Sequence, residues 1–171
     1  MSHKVFISQE QIANRVKELA KKIDQDFAGE EVIVIGVLNG AFMFVADLIR
    51  EIKSPVYLDF IAASSYEGTQ STGNLKILKD IKVDIKNKNV IVVEDIVDTG
   101  LTIKELQKNL LSRDPKSLKL CTLLHKPART IHENQIDYLG FEIEDKFVIG
   151  YGLDFDGRYR ELPYIGVYGE S

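Results

Sequence analysis

Three carboxylates fall within five residues: Glu94, Asp95 and Asp98. They follow the β-branched apolar run Val90-Ile91-Val92-Val93 and precede Thr99-Gly100-Leu101-Thr102 and a helical pattern. Such a stretch reads as a buried strand that ends at the acids and feeds a polar loop at a helix N-terminus. Open α/β sheets bind ligands at the carboxyl ends of their strands, and the free N–H groups and positive end of a helix attract phosphate. The glycine, the hydroxyls and the backbone of Thr99, Gly100, Leu101 and Thr102 therefore suit a phosphate. Glu94 and Asp95 would repel one, so they are expected to face sugar hydroxyls, directly or through a divalent cation. Asp98 opens the turn, where capping of the following helix is its ordinary role.

The elements that must position these residues follow from periodicity. Ser8 with Gln11 reads as a capping box, and Ile12, Val16, Leu19, Ala20, Ile23 and Phe27 predict an amphipathic helix over about 9–27, ended by Gly29. Residues 32–37 read as a buried strand, Leu38-Asn39-Gly40 as a tight loop, and 41–51, apolar nearly all round, as a buried helix. Strands are expected at 56–62 and 75–83, separated by a mobile polar loop over 64–74 rich in Gly, Ser and Thr. A helix over 102–111, a strand over 117–124 and short strands at 136–139, 147–149 and 165–168 complete the pattern. Strands alternating with helices indicate βαβ units and a mainly parallel sheet.

At 171 residues, with 44% hydrophobic and 28% charged residues, the chain suits one domain with a sizeable core. A net charge of -4 speaks against a general nucleic-acid binder. The single cysteine, Cys121, excludes an internal disulfide and reads as a small core residue. His3, His125 and His132 lack metal-ligand spacing. With no membrane-length apolar stretch and no signal-peptide pattern, a soluble cytoplasmic protein is expected.

The segment Glu94-Asp95-Ile96-Val97-Asp98-Thr99-Gly100-Leu101-Thr102, placed after its apolar strand, resembles the phosphoribosyl-diphosphate signature of the type I phosphoribosyltransferases, and looks most like the hypoxanthine-guanine branch. Further segments share the likeness in order and spacing. Leu38-Asn39-Gly40 lies where that family has its diphosphate loop, often with a cis peptide, and Ser65-Tyr66 opens the position of its catalytic lid. Lys126 follows Leu123-Leu124-His125 where the family has a purine-contacting lysine. Phe147 to Asp154, with Arg160 beyond, is similar to its base- and diphosphate-binding stretch.

The resemblance implies a type I fold: a mainly parallel sheet flanked by helices, over about 8–135, and a small hood from about 136–171 plus the N-terminal strand. It implies an Mg²⁺-dependent purine salvage transferase that moves 5-phosphoribosyl from phosphoribosyl diphosphate to hypoxanthine or guanine, working as a homodimer or homotetramer. Within it, Asp98 would be the acid/base near purine N7, Lys126 would meet the exocyclic oxygen, and Phe147 would stack on the base while the Val148 backbone reads its edge. Asn39, Gly40 and Arg160 would meet diphosphate, and Ser65 and Tyr66 would close over the reacting centre. Glu94, Asp95 and Asp154 would serve ribose and Mg²⁺, and Arg158 would be a solvated or structural charge. Two departures stand out: some members carry a basic residue where Asn39 stands, and some a lysine where Leu101 stands. They bear on affinity, with Leu101 shifting phosphate binding to backbone N–H groups and Thr hydroxyls. The competing reading is a regulator that keeps the phosphoribosyl-diphosphate fold as a sensor; the acidic balance and the Phe147-to-Arg160 stretch disfavour it.

Overall fold

The computed structural model describes residues 3–65 and 75–170, with Ser65 described by its backbone alone. In chain order the elements are β1 (Lys4–Ile7), α1 (Gln9–Phe27), β2 (Val32–Val37), α2 (Phe42–Glu51), β3 (Val56–Ser65), β4 (Leu75–Lys79), β5 (Asn89–Val97), α3 (Leu101–Leu111), β6 (Ser117–His125), a 3₁₀ turn (Pro127–Arg129), β7 (Tyr138–Glu142), β8 (Val148–Ile149) and β9 (Ile165–Val167). A six-stranded sheet runs in the order β4-β3-β2-β5-β6-β7, parallel except for β4 at one edge. A second, antiparallel sheet of order β1-β9-β8 joins the N-terminal strand to the C-terminal segment.

The central strands are apolar on both faces because both faces are covered. Val32, Val34, Ile91, Val93, Cys121 and Leu123 pack toward α1 and α2. Their alternates Ile33, Ile35, Val37, Val90, Val92 and Leu120 pack toward α3 and Ile81 and Ile85. Cys121 is thus a core residue, and burial pushes its thiol pKa up, away from reactivity. The α1 helix has the anticipated bounds. Ser8 and Gln11 exchange both capping-box bonds, at 3.1 and 2.8 Å, and the buried stripe is Ile12, Val16, Leu19, Ala20, Ile23 and Phe27.

Several elements differ from the sequence expectation, each for a local reason. The α2 helix buries one face only, through Phe44, Val45 and Leu48, while Phe42 and Ala46 are exposed, because a helix on the outside of a sheet has one layer to cover. Ser64 and Ser65 belong to β3, paired with Lys76 and Leu75 of β4, and are strand rather than the loop expected there; residues 66–74 lie outside the described residues. The following strand stops at Lys79, short of Val83, since the Asp59 carboxylate accepts the N–H groups of Lys82 and Val83 and draws the chain off the sheet. β7 closes the larger sheet beside β6, so residues 138–142 belong to the core rather than to a hood beginning at about 136.

Asp24 ties α1 to the turn before β3: its carboxylate accepts the Lys53 and Ser54 N–H groups and the Ser54 hydroxyl at 2.9 to 3.1 Å. Burial raises its pKa, but these donors outweigh burial and hold it below the ordinary 3.8. A depressed folded-state pKa gives stabilisation that is complete above the unfolded value and is lost as pH falls through the folded one. Asp24→Asn should therefore cost roughly 1–3 kcal/mol at neutral pH and a smaller amount in acid. Urea unfolding at pH 7 and near pH 3 measures the difference, and a cost independent of pH would remove this role.

Candidate active site

The site is built where β5 outlasts its neighbour. β2 pairs with β5 as far as Val93, whereas β6 accompanies it to Val97. Glu94, Asp95 and Ile96 are therefore still strand, not the loop expected from the sequence; the ladder with β6 keeps them extended after the apolar run has ended. Each acid folds onto the next amide: Asp95 N donates to Glu94 Oε1 at 3.0 Å, and Ile96 N donates to Asp95 Oδ1 at 2.7 Å. Burial, then the adjacent Asp95 charge and a side-chain bond to Asp95, raise the Glu94 pKa well above the carboxylate range.

Gly40 faces Asp95 across the gap left by β2. A Cβ on Gly40 would fall 1.8 Å from Asp95 Oδ2, so only a glycine lets the carboxylate lie against the Leu38-Asn39-Gly40 turn. The Leu38–Asn39 peptide in that turn is cis. The C-terminal segment packs on the other side: Gly152, at φ +97, would place a Cβ 2.4 Å from Gly40 O. Arg160 Nη1 donates to Gly152 O at 2.6 Å, and its Nη2 lies 3.4 Å from Asp154 Oδ1. Asp154 Oδ2 accepts the Gly157 N–H at 2.9 Å, closing the Asp156-Gly157 hairpin turn. Arg158 is exposed.

Residues 98–100 lead directly into α3. Its N-cap is Gly100 at φ +87, with no side-chain cap, so Asp98 does not cap the helix. The segment after β6 braces this turn. Thr99 O accepts the N–H groups of Ile131 and His132 at 3.1 and 2.9 Å, and Asn134 Nδ2 donates to Gly100 O at 3.0 Å. The Thr130 hydroxyl lies 3.1 Å from each of Asp98 O, Lys126 O and His125 Nε2.

A cleft of about 570 Å³ opens between the two sheets. Asn39, Gly40, Asp95, Asp98, Lys126, Phe147, Val148, Asp154 and Arg160 all line it. Lys126 is only 7% exposed, contrary to a solvated lysine, and its Nζ lies 3.6 Å from Asp145 Oδ1. Phe147 is the reverse, 53% exposed, its ring edge-on to Phe155 and Tyr168 at centroid distances of 5.7 and 5.8 Å. Asp98 faces Arg129, whose Nε is 2.7 Å from Oδ1. A smaller hollow of about 130 Å³ at the α3 start is lined by Glu94, Thr99, Gly100 and Thr102, and shares Asp98 with the cleft. Leu101 is the first residue of α3 and lines neither; Ser65 ends β3, and Tyr66 lies outside the described residues.

A phosphoribosyl transferase domain profile matches residues 7–156. The chain belongs to the phosphoribosyl transferase family. It is 46% identical over 165 residues to the hypoxanthine phosphoribosyltransferase of Salmonella typhimurium, covering 95% of this chain and 93% of that protein. It is 48% identical over 170 residues to the hypoxanthine-guanine phosphoribosyltransferase of Mycobacterium tuberculosis, covering 95% and 84%. A crystal structure of a Bacillus anthracis hypoxanthine-guanine phosphoribosyltransferase superimposes with a TM-score of 0.92 at 52% identity, covering 97% of this chain and 99% of that one.

For a member of this family the acids pose a definite question, because Asp95 and Asp154 line the cleft while Glu94 lines the neighbouring hollow. Among the described residues no group of three His, Cys, Asp or Glu side chains could enclose a metal. That donor set still fits Mg²⁺, which takes hard oxygen ligands, keeps several waters and is commonly held by one or two carboxylates plus substrate phosphates. Two charged residues of the cleft escaped the sequence reading. Arg129 and Asp145 both line the cleft; they stand in loops with no motif, and only the 3₁₀ turn after Lys126 brings Arg129 back to Asp98.

Gly100 and Gly157 both have left-handed backbone, at φ +87 and +78, but only Gly100 is crowded: a Cβ there would lie 2.1 Å from His132 O, whereas Gly157 has nothing within 4 Å. Gly157→Ala should cost about 1 kcal/mol, from backbone strain alone. Gly100→Ala should cost at least about twice that, since the brace must also move. Denaturant unfolding of the two variants checks the order.

Proposed function

We propose that this chain is a purine salvage enzyme that transfers 5-phosphoribosyl from phosphoribosyl diphosphate to N9 of hypoxanthine or guanine, giving IMP or GMP and diphosphate. The observation that carries this reading is the single cleft in which Asp98, buried Lys126 and exposed Phe147 meet Gly40, Asp154 and Arg160, next to an uncapped helix start. The names of the relatives at nearly half identity support the same substrates.

Each group has work suited to its chemistry. The 5-phosphate sits in the hollow at the α3 start, on backbone N–H groups and the Thr99 and Thr102 hydroxyls. The 6-oxopurine lies on the Phe147 ring, with the Val148 backbone at its edge and the Lys126 ammonium donating to O6. Asp98 shares the proton at N7 as N9 becomes the nucleophile. Cleavage at the anomeric carbon develops oxocarbenium character. Asn39, Gly40 and the planar guanidinium of Arg160 receive the diphosphate. Glu94, Asp95 and Asp154 would hold the ribose hydroxyls and Mg²⁺, which when bound would neutralise charge on the leaving group. The small β1-β9-β8 sheet acts as the hood over the cleft. The enzyme works as a cytoplasmic homodimer or homotetramer; no helix among the described residues is long and apolar enough to cross a membrane.

Incubation with phosphoribosyl diphosphate, Mg²⁺ and each of hypoxanthine, guanine, xanthine and adenine should give nucleotide with 6-oxopurines and little with adenine. Absence of product from every 6-oxopurine would sink the enzyme reading and restore that of a sensor.

Asp98→Asn should lower kcat by about 100-fold or more with phosphoribosyl diphosphate affinity largely kept. Lys126→Ala should raise the KM for the base by about tenfold or more while sparing sugar-phosphate binding. Equal activity of Asp98→Asn, or equal loss of both substrates in Lys126→Ala, would contradict these roles.

A further inference from the structure

Two charged side chains on the cleft wall, Arg129 and Asp145, touch the acid/base and the base-contacting lysine without duplicating either. Arg129 Nε is 2.7 Å from Asp98 Oδ1, and its Nη1 is 3.9 Å from Asp145 Oδ1. The same Asp145 oxygen lies 3.6 Å from Lys126 Nζ. Four charges of alternating sign therefore run along one wall: Asp98, Arg129, Asp145, Lys126. Arg129 can bridge both acids because a guanidinium presents several nitrogens in a fixed plane, which an ammonium does not.

The contact with Asp98 is divided in a useful way. Asp98 Oδ1 is buried, and no N–H is aligned to hydrogen-bond it despite the short distance. The guanidinium thus meets this oxygen as a charge at contact, pinning the carboxylate through one oxygen. The side chain as a whole is 40% exposed, so that exposure belongs to its other atoms, and Oδ2 is left to reach a purine. The backbone is fixed as well: Arg129 N donates to Lys126 O at 3.1 Å within the 3₁₀ turn. Ion pairs between half-exposed side chains add little to stability, so the arrangement is better suited to orientation than to holding the fold.

We propose that Arg129 is a positioning residue for the transfer: it fixes the Asp98 carboxylate and, through Asp145, sets its spacing from Lys126, so that N7 and O6 of one purine are met together. The inference rests on the assignment of Asp98 as the acid/base.

Steady-state kinetics of Arg129→Gln, Arg129→Lys, Asp98→Asn and the Asp98→Asn/Arg129→Gln double variant test it. Arg129→Gln should lower kcat about 30-fold and leave the KM for phosphoribosyl diphosphate within about twofold, and Arg129→Lys should recover part of that loss. In the Asp98→Asn background Arg129→Gln should change kcat by no more than about twofold, because residues acting as a unit are not additive. Wild-type kcat in Arg129→Gln, losses that multiply in the double variant, no recovery by lysine, or a raised KM for phosphoribosyl diphosphate at unchanged kcat would each overturn the proposal. An impaired Asp98→Asn beside a normal Arg129→Gln would overturn this inference alone, whereas a fully active Asp98→Asn would remove the acid/base assignment beneath it. If Arg129→Gln fails to fold, the same cycle is run with Arg129→Lys.

Discussion

The unequal length of the strands flanking β5 is the constraint on which the site depends. Up to Val93 the strand is locked on both sides and buried on both faces, so it cannot shift without breaking two ladders and the core. Beyond Val93 only β6 holds it, and the vacated flank admits the Leu38-Asn39-Gly40 turn. A rigid strand thereby carries Asp95 out to the cleft, and Glu94 to the hollow beside it, with the precision of the sheet rather than that of a loop. Functional groups set on regular elements are held more closely than groups on loops.

The two ends of the cleft solve opposite electrostatic problems. At the α3 start the positive end of the helix stands beside the acids Glu94 and Asp98. On the opposite wall the charges come in compensating contacts, Asp98 with Arg129 and Lys126 with Asp145, so a flat heterocycle can enter without leaving an uncompensated charge. Phe147 supplies the apolar face, and it stays exposed because Phe155 and Tyr168 support it from the edge instead of covering it.

Much of this was legible in the sequence, and what was not has physical causes. Local signals gave local structure: the Ser8–Gln11 box started α1 where expected, and the continuous apolar runs of β2 and β5 marked buried strands. The strand character of Glu94 to Val97 was hidden, because pairing with β6 is non-local and overrides the poor strand propensity of acids. Arg129 and Asp145 were hidden for a related reason. Their positions relative to Asp98 and Lys126 come from a turn and a loop that return to the sheet, and one sequence carries no spacing rule for that. The nine cleft residues that did emerge sit in contiguous motifs at strand ends, where order along the chain and proximity in space coincide.

The segment after Lys126 has a consequence at a distance from its own contacts. Thr130, Ile131, His132 and Asn134 engage the carbonyl oxygens of Asp98, Thr99 and Gly100 from outside the turn. In a trans peptide the N–H points opposite to the C=O. Holding three successive carbonyls on the outer side thus turns the amides of Thr99, Gly100 and Leu101 inward, with the positive ends of three peptide dipoles on one side. The direction of those amides is set by donors on the outer face, so a substitution there would turn them without altering a single group inside.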